Sequence, residues 1–401
     1  MPHFVVVGGG QAGASLCATL RNSGFDGDVT LICEEPEPPY QRPPLSKAYL
    51  LGEMERERLY LRPESFYTEH NITLRLNTKV SSIDPAAKTL MINDEPMPYD
   101  QLALTTGSAA RELPAAIGGQ LDGVFTVRSL ADVDSMAHAF KAGGHLLVIG
   151  GGYIGLEAAA VARKLGLQVT LIEMAERILQ RVAAPQTSDF FRTLHAAKGV
   201  EIRESIGLER LVGETKVNGA KLTDGTELIV DFVVVGIGIA PNSGLAESAG
   251  LLIENGIRTD QFGRTSDPNI WASGDCASFP LDGHQIRLES VQNAIDQSEC
   301  VAKNMMGEDT AYIPKPWFWS DQYDTKLQIA GLNTGYTRVI ARQSDEAESF
   351  WYYKNDQFIA VDAMNDPRAF MVGKRLLDMG KSPDPGAVAD PATDLKTLMR
   401  G

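Results

Sequence analysis

The chain is 401 residues long, enough for two or three domains that each bury a core. With 43% hydrophobic and 22% charged residues its composition is that of an ordinary globular protein, which excludes a disordered or fibrous chain. A formal net charge of −15 excludes a general attraction to nucleic acid, because phosphate binding draws on a basic surface. Neither a basic leader nor an apolar stretch of signal length precedes the first glycines, and no run reaches membrane-spanning length. The chain is therefore expected in the cytoplasm, with no membrane partner.

In chain order, the first elements are an apolar strand at 4–7, the turn GGGQAG at 8–13, a helix ending near Ser23 and Gly24, and a strand at 29–33. A Pro-rich stretch containing RPPLSK at 42–47 follows, then a strand from about Tyr99 that ends in Thr105, Thr106 and Gly107. The pattern then recurs, with a strand at 146–149, the turn GGGYIG at 150–155, a helix at 156–165 closed by Gly166, and a strand at 169–173. A strand at 231–235 ends in the small residues Gly236 and Gly238, comparable with 99–107. Two βαβ units with the same punctuation form one internal repeat. The segment NIWASGD at 269–275 is another strand-to-loop element beyond the completed second unit, so the second unit is expected to be inserted into the first.

From about Thr310 the glycine-punctuated alternation stops. Trp317, Phe318, Trp319, Tyr352 and Tyr353, with apolar runs such as 358–361, predict a mostly β C-terminal domain, and the tail at 383–391 is expected to be loose. The fold class is α/β, with two Rossmann-type dinucleotide-binding domains and a mixed α/β, mostly β C-terminal domain. The expected boundaries are 1–110 with 243–309, 111–242, and 310–401.

A glycine triplet of this kind gains weight from the strand before it, the helix after it and an acid at a set distance. Gly8 and Gly150 permit the tight turn. Gly10 and Gly152 let a pyrophosphate approach the helix N-terminus, and Gly13 and Gly155 let helix pack closely on strand. Ala12 and Ile154 sit within the same loops. Glu34 lies 21 residues after Gly13 and Glu173 lies 18 after Gly155, close to the spacing of about 20 for an acid that binds adenosine ribose. In the first copy Glu35 competes with Glu34, which is nearer the strand end. Glu173 would repel a 2′-phosphate, which favours NADH over NADPH, while Arg177 and Arg181 pull the other way. The glycines alone leave open which half holds which cofactor. Two dinucleotide sites in one chain suit a nicotinamide that delivers a hydride and a flavin that releases electrons singly. Cys17, Cys33, Cys276 and Cys300 form no CxxC pair, so neither a redox dithiol, a zinc site nor an iron–sulfur centre is expected, and the thiols read as core residues.

The order GGGQAG, RPPLSK, LTTG at 104–107, GGGYIGLEAA, ASGD at 272–275, RLESVQN at 287–293 and WFWSDQ at 317–322 resembles the FAD-dependent ferredoxin reductases of bacterial oxygenase systems, of the putidaredoxin reductase and biphenyl dioxygenase type. The match spans essentially the whole chain. It implies a glutathione reductase-like arrangement, with FAD on the N-terminal unit and NADH on the inserted one. Arg42 and Lys47 would lie beside the flavin, where a cation favours negative charge on the reduced ring; without the family, a basic pair in a Pro-rich loop is an ordinary exposed turn. Glu157 would pair with Lys47 near the point of hydride transfer, and its plain alternative is a first-turn acid on the helix dipole. Asp275 would bind the FAD ribitol, with Val80, Arg128 and Val291 as further contacts. Gly236 and Gly238 would lie by the nicotinamide half. Trp319 would stand on the side from which the electron acceptor approaches, unless the aromatic trio is only a hydrophobic anchor.

The resemblance implies direct hydride transfer from NADH to the flavin, with no general acid or base, then single electrons to a two-iron ferredoxin. That ferredoxin would serve a cytochrome monooxygenase or a ring-hydroxylating dioxygenase. Two other readings share the fold: a rubredoxin reductase, and a non-enzymatic NADH-sensing flavoprotein of the apoptosis-inducing-factor type.

Overall fold

The computed structural model describes residues 1–344 and 347–400, which form two compact units. The first comprises Met1–Arg42, Glu55–Ala109 and Ile239–Pro316; the second comprises Pro43–Met54, Ala110–Gly238 and Trp317–Gly401. The chain thus leaves the first unit after Ala109 and returns to it at Ile239.

The first unit is built on a five-stranded parallel sheet in the order Ile72–Arg75, Asp28–Ile32, His3–Val7, Gln101–Leu104, Ile270–Ala272. Its central strand is buried on both faces from Phe4 to Val7, which is why it reads as a continuous apolar run rather than an alternating one. On one face the helices Gln11–Asn22 and Val291–Met305 pack together and cover Val6, Leu31 and Ala103 with Leu16, Leu20 and Val301. On the other, Val5, Leu102 and Leu104 meet Ile83, Leu90 and Ile92 of the three-stranded antiparallel sheet Val80–Asp84, Thr89–Ile92, Glu95–Pro98.

The second unit repeats the plan, its parallel sheet running Val200–Glu204, Gln168–Glu173, His145–Ile149, Phe232–Val235, Val124–Thr126. Four strands match the first sheet in order and direction. The fifth comes from a later segment in one unit and an earlier one in the other.

A polar staple recurs as well. In the first unit His3 bonds Pro98 O through Nδ1 and Thr30 Oγ1 through Nε2, while its backbone N–H donates to Asp100 at 2.7 Å. In the second, His145 bonds Ile229 O and Thr170 Oγ1, and its N–H donates to Asp231 at 2.7 Å.

The second unit also carries an antiparallel five-stranded sheet in the order Trp317–Gln322, Thr325–Gly331, Gln357–Met364, Glu348–Lys354, Arg338–Gln343, packed against the helix Pro367–Asp378. The tail expected to be loose is instead fixed. Val388 and Leu395 are buried in the core beneath this sheet, and the Arg342 guanidinium donates to the carbonyls of Val388, Asp390, Pro391 and Thr393. A cation gathering carbonyls that would otherwise face water orders a segment whose composition alone suggests mobility. Among the described residues, no helix is long and apolar enough to cross a membrane.

Candidate active site

The two glycine turns have the same geometry. Gly8 sits at φ +122° and Gly150 at φ +104°, a region that penalises a side chain. A Cβ on Gly13 would fall 2.1 Å from Gly8 O, and one on Gly155 would fall 2.0 Å from Gly150 O, so only hydrogen lets each helix approach its turn. A Cβ on Gly10 or Gly152 would meet nothing within 4 Å. These are the N-cap positions of Gln11–Asn22 and Tyr153–Lys164, which have no side-chain cap and no acid in the first turn. Three other long helices are capped by Ser129, Ser290 and Asp366. The glycine helices thus keep amide donors and an open approach where a pyrophosphate would sit, and the cradle fits a dinucleotide in both units. Ala12 is buried behind the first turn, whereas Ile154 is exposed on the second.

The strand pairings bring the acids into comparison. His3 pairs with Asp28 and His145 with Gln168, so residue 33 of the first unit occupies the place of Glu173 in the second. That residue is Cys33, and Glu34 lies one step further on. Glu173 accepts backbone N–H bonds from Gly151 and Ala175, both at 2.7 Å, which fixes the carboxylate beside the turn. Glu34 is exposed and pairs with Lys79 at 2.9 Å. Glu35 turns inward and accepts from Tyr40 and from Arg42 Nη2, the latter at 2.6 Å. Arg177 is held by Ser188 Oγ at 2.6 Å and Ala183 O at 2.8 Å. The Arg181 guanidinium stands near Gly238, whose φ of +98° also suits glycine, and Gly236 lies directly beneath the second turn.

The first unit gathers further polar groups. Arg42 also donates to Tyr40 Oη at 3.1 Å; burial opposes its charge, but Tyr40, Glu35 and Asp275 outweigh that and raise its pKa. Asp275, in the turn Gly274–Cys276, accepts from Ser108 Oγ at 2.9 Å. Beside it Gln297 accepts from Gly274 N–H at 2.9 Å, while its buried Nε2 has no hydrogen-bond partner among the described residues. Val80 is a core residue opening its strand, and Val291 is the first residue of its helix.

Lys47 and Arg128 fold with the second unit. Lys47 lies in the wide turn Leu45–Tyr49, with its own backbone non-helical at φ −134° and ψ −112°, and its Nζ pairs with Glu157 Oε2 at 2.7 Å. Glu157 is 2% exposed. A carboxylate so deep is tolerable only when every face is answered, and here Ser46 Oγ donates to Oε2 at 2.7 Å and Ser320 Oγ to Oε1 at 2.6 Å. Arg128 directly precedes the helix N-cap Ser129, and its backbone N–H donates to Asp132 at 3.0 Å.

The strand Trp317–Gln322 explains how this site is built. Its residues alternate, so Ser320 and Gln322 are buried toward the second glycine helix while Trp319 lies on the opposite face, 5.5 Å from Trp317 between ring centroids. Phe318, on the inward face, packs against Tyr153 in a tilted ring pair with centroids 4.8 Å apart. Sequence reasoning singled out Trp319 but passed over Ser46, Ser108, Ser320 and Gln322. Period-two alternation within WFWSDQ carried the signal for the last two.

All four cysteines are free and lie in the first unit. Burial pushes the Cys33 thiol up to about 12 and raises Cys17 and Cys276 as well, which withholds the thiolate that disulfide exchange needs.

Comparison with known proteins bears on the whole chain. Residues 2–298 match the pyridine nucleotide-disulphide oxidoreductase family, and residues 317–399 match the reductase C-terminal family. The chain is 41% identical to rhodocoxin reductase of Rhodococcus erythropolis, covering 98% of this chain and 93% of that protein. It is also 41% identical to the ferredoxin reductase subunit of 5,5'-dehydrodivanillate O-demethylase from a Sphingobium species, covering 99% of both. The crystal structure of the covalent putidaredoxin reductase–putidaredoxin complex superimposes with a TM-score of 0.96 at 38% identity, covering 100% of this chain and 98% of that one.

Proposed function

The chain belongs to the pyridine nucleotide-disulphide oxidoreductase family, and from that premise we propose an FAD-dependent NADH:ferredoxin reductase that supplies single electrons to a two-iron ferredoxin. The ferredoxin in turn serves a cytochrome monooxygenase or a ring-hydroxylating dioxygenase, and the enzyme works in the cytoplasm. The observation that carries this reading is the occurrence of two uncapped glycine helices, the second of which bears a buried Glu157 carboxylate paired with Lys47.

We assign FAD to 1–110 with 243–309, NADH to 111–242, and the acceptor-facing role to 310–401. Gly8, Gly10, Ala12 and Gly13 would hold the FAD pyrophosphate, Glu34 its adenosine ribose and Asp275 its ribitol, with Arg42, Val80 and Val291 as further contacts on the first unit; the family resemblance assigns Lys47 and Arg128 to FAD as well. Gly150, Gly152, Ile154, Gly155, Glu173, Gly236 and Gly238 hold NADH. The chemistry supplied by bound FAD is acceptance of a hydride from NADH and release of the two electrons one at a time.

The protein's own residues orient and exclude rather than exchange protons. Glu157 fixes the Lys47 ammonium, Glu173 presents its carboxylate to a free 2′-hydroxyl and repels a 2′-phosphate, and Arg177 is engaged by Ser188 and the Ala183 carbonyl. Trp319 marks the side on which the ferredoxin docks.

Anaerobic stopped-flow mixing tests the reading. NADH should bleach the yellow protein much faster than NADPH, and an oxidised two-iron ferredoxin should then reoxidise it. A protein purified without flavin would sink the proposal. Fast bleaching with no electron passed to the ferredoxin would remove the acceptor alone.

A further inference from the structure

The Glu157 carboxylate is the first member of a longer chain inside the second unit. Ser320 Oγ donates to Glu157 Oε1 at 2.6 Å, and Gln322 Nε2 lies 3.2 Å from Ser320 Oγ. Gln322 Oε1 lies 2.7 Å from His195 Nε2, and His195 Nδ1 lies 3.3 Å from the Tyr323 hydroxyl. Ser320, Gln322 and His195 are fully buried, while Tyr323 is half-buried, with the Lys198 ammonium 5.5 Å from its ring centre.

The direction of every bond follows from the ionised end. A carboxylate paired with Lys47 can only accept, so Ser320 gives Glu157 its single proton and must itself accept from the Gln322 amide. That turns the amide carbonyl toward His195, so the imidazole carries its proton on Nε2 and leaves Nδ1 bare to accept from Tyr323. Burial holds the His195 pKa down to about 4, so the ring is neutral at physiological pH, and burial raises the Tyr323 pKa, so the phenol keeps its proton. Four dipoles therefore point the same way, toward one carboxylate, and such chains strengthen one another in a low-dielectric interior.

We propose that Gln322 and His195 are positioning residues for the Glu157–Lys47 pair, acting through the hydroxyl of Ser320. They hold Oε1 in place so that Oε2 stays with Lys47 and Ser46. The chain is not a proton wire. The Gln322 amide has no proton to pass on and regain cheaply, which agrees with a hydride step that takes no proton from the protein. The inference rests on the reading that places Glu157 beside the hydride step.

Nitrogen-15 NMR of the histidine-labelled holoenzyme tests it without reference to turnover. The wild type should show His195 as the Nε2–H tautomer, unchanged between about pH 6 and 8. Glu157→Gln removes the obligate acceptor and should let Nδ1–H population appear at His195. In stopped flow, Gln322→Met should slow flavin reduction by roughly three- to tenfold with the NADH dissociation constant unchanged within about twofold. Gln322→Glu, whose side chain offers Ser320 an acceptor instead of a donor, should slow it further. An Nδ1–H tautomer in the wild type, or a His195 spectrum indifferent to Glu157→Gln, overturns the chain, and neither depends on the Gln322 variants folding. Equal, wild-type reduction rates in both Gln322 variants overturn the positioning role. If Glu157→Gln itself reduces at the wild-type rate, the placement of Glu157 at the hydride step fails instead, while the tautomer result still stands or falls alone.

Discussion

The two glycine units share a scaffold and differ where they would touch a ligand. Shared are the strand order of four strands, the turn glycines, the uncapped helix start, and the staple of His3, Thr30 and Asp100 against His145, Thr170 and Asp231. Where they differ, Cys33 stands in the place of Glu173, Gln11 in that of Tyr153, and Ser15 in that of Glu157. At the last position one unit has a serine hydroxyl bonded to a neighbouring glutamine and the other a buried carboxylate with three donors. The turn geometry is therefore common to both units, and a buried, fully partnered carboxylate is present on one helix face of the second without disturbing the turn.

The sharpest way to break this comparison is the same substitution in both turns. Gly13→Ala and Gly155→Ala each drive a Cβ to about 2 Å from a carbonyl oxygen that cannot yield. Overpacking against backbone costs about 1–3 kcal/mol, which can weaken a bound dinucleotide up to about 100-fold. Gly13→Ala should purify largely colourless, whereas Gly155→Ala should stay yellow and need far more NADH for half-maximal reduction. Equal loss of flavin in both variants would break the assignment of one cofactor to each unit.

A smaller effect separates the acids. Losing a carboxylate that accepts ribose hydroxyl bonds costs about 1.5–3 kcal/mol, or roughly 10- to 100-fold in affinity. Glu173→Ala should weaken NADH to that extent and narrow its advantage over NADPH, as titration of the oxidised enzyme with each nucleotide would register. For the first unit, Glu34→Ala should weaken FAD on reconstitution of the flavin-free protein, measured by quenching of flavin fluorescence. A loss confined to Glu35→Ala would transfer the ribose role to the residue that Tyr40 and Arg42 hold inward.

These tests follow the line between what the sequence discloses and what it conceals. Both turns, their strands and the insertion are legible because glycine punctuation and continuous apolar runs are local signals. Lys47 and Glu157 are far apart in the chain, and only the resemblance pairs them. Ser320 was readable in principle, since alternation along WFWSDQ separates it from Trp319, but His195 is not, because its role depends on which helix lies beside that strand. The tail misleads for the opposite reason. Its Pro, Asp and Ala look mobile locally, while the burial of Val388 and Leu395 and the grip of Arg342 are tertiary facts.

The smallest expected effect tests the shared part. If His3 and His145 serve only the scaffold, replacing either by alanine should act alike and leave both cofactors bound. Each change removes two side-chain hydrogen bonds near a sheet end, worth about 0.5–1.5 kcal/mol apiece net of water. In a chain of two units a single melting temperature mixes both responses, so the readout should be local. Hydrogen exchange should accelerate roughly tenfold at the amides of His3–Val7 in His3→Ala and by a similar factor at His145–Ile149 in His145→Ala, each leaving the other strand unchanged. A His145→Ala variant that also lost NADH binding would show that the staple reaches the second turn. The repeat would then be symmetric in fold but not in the coupling between sheet and site.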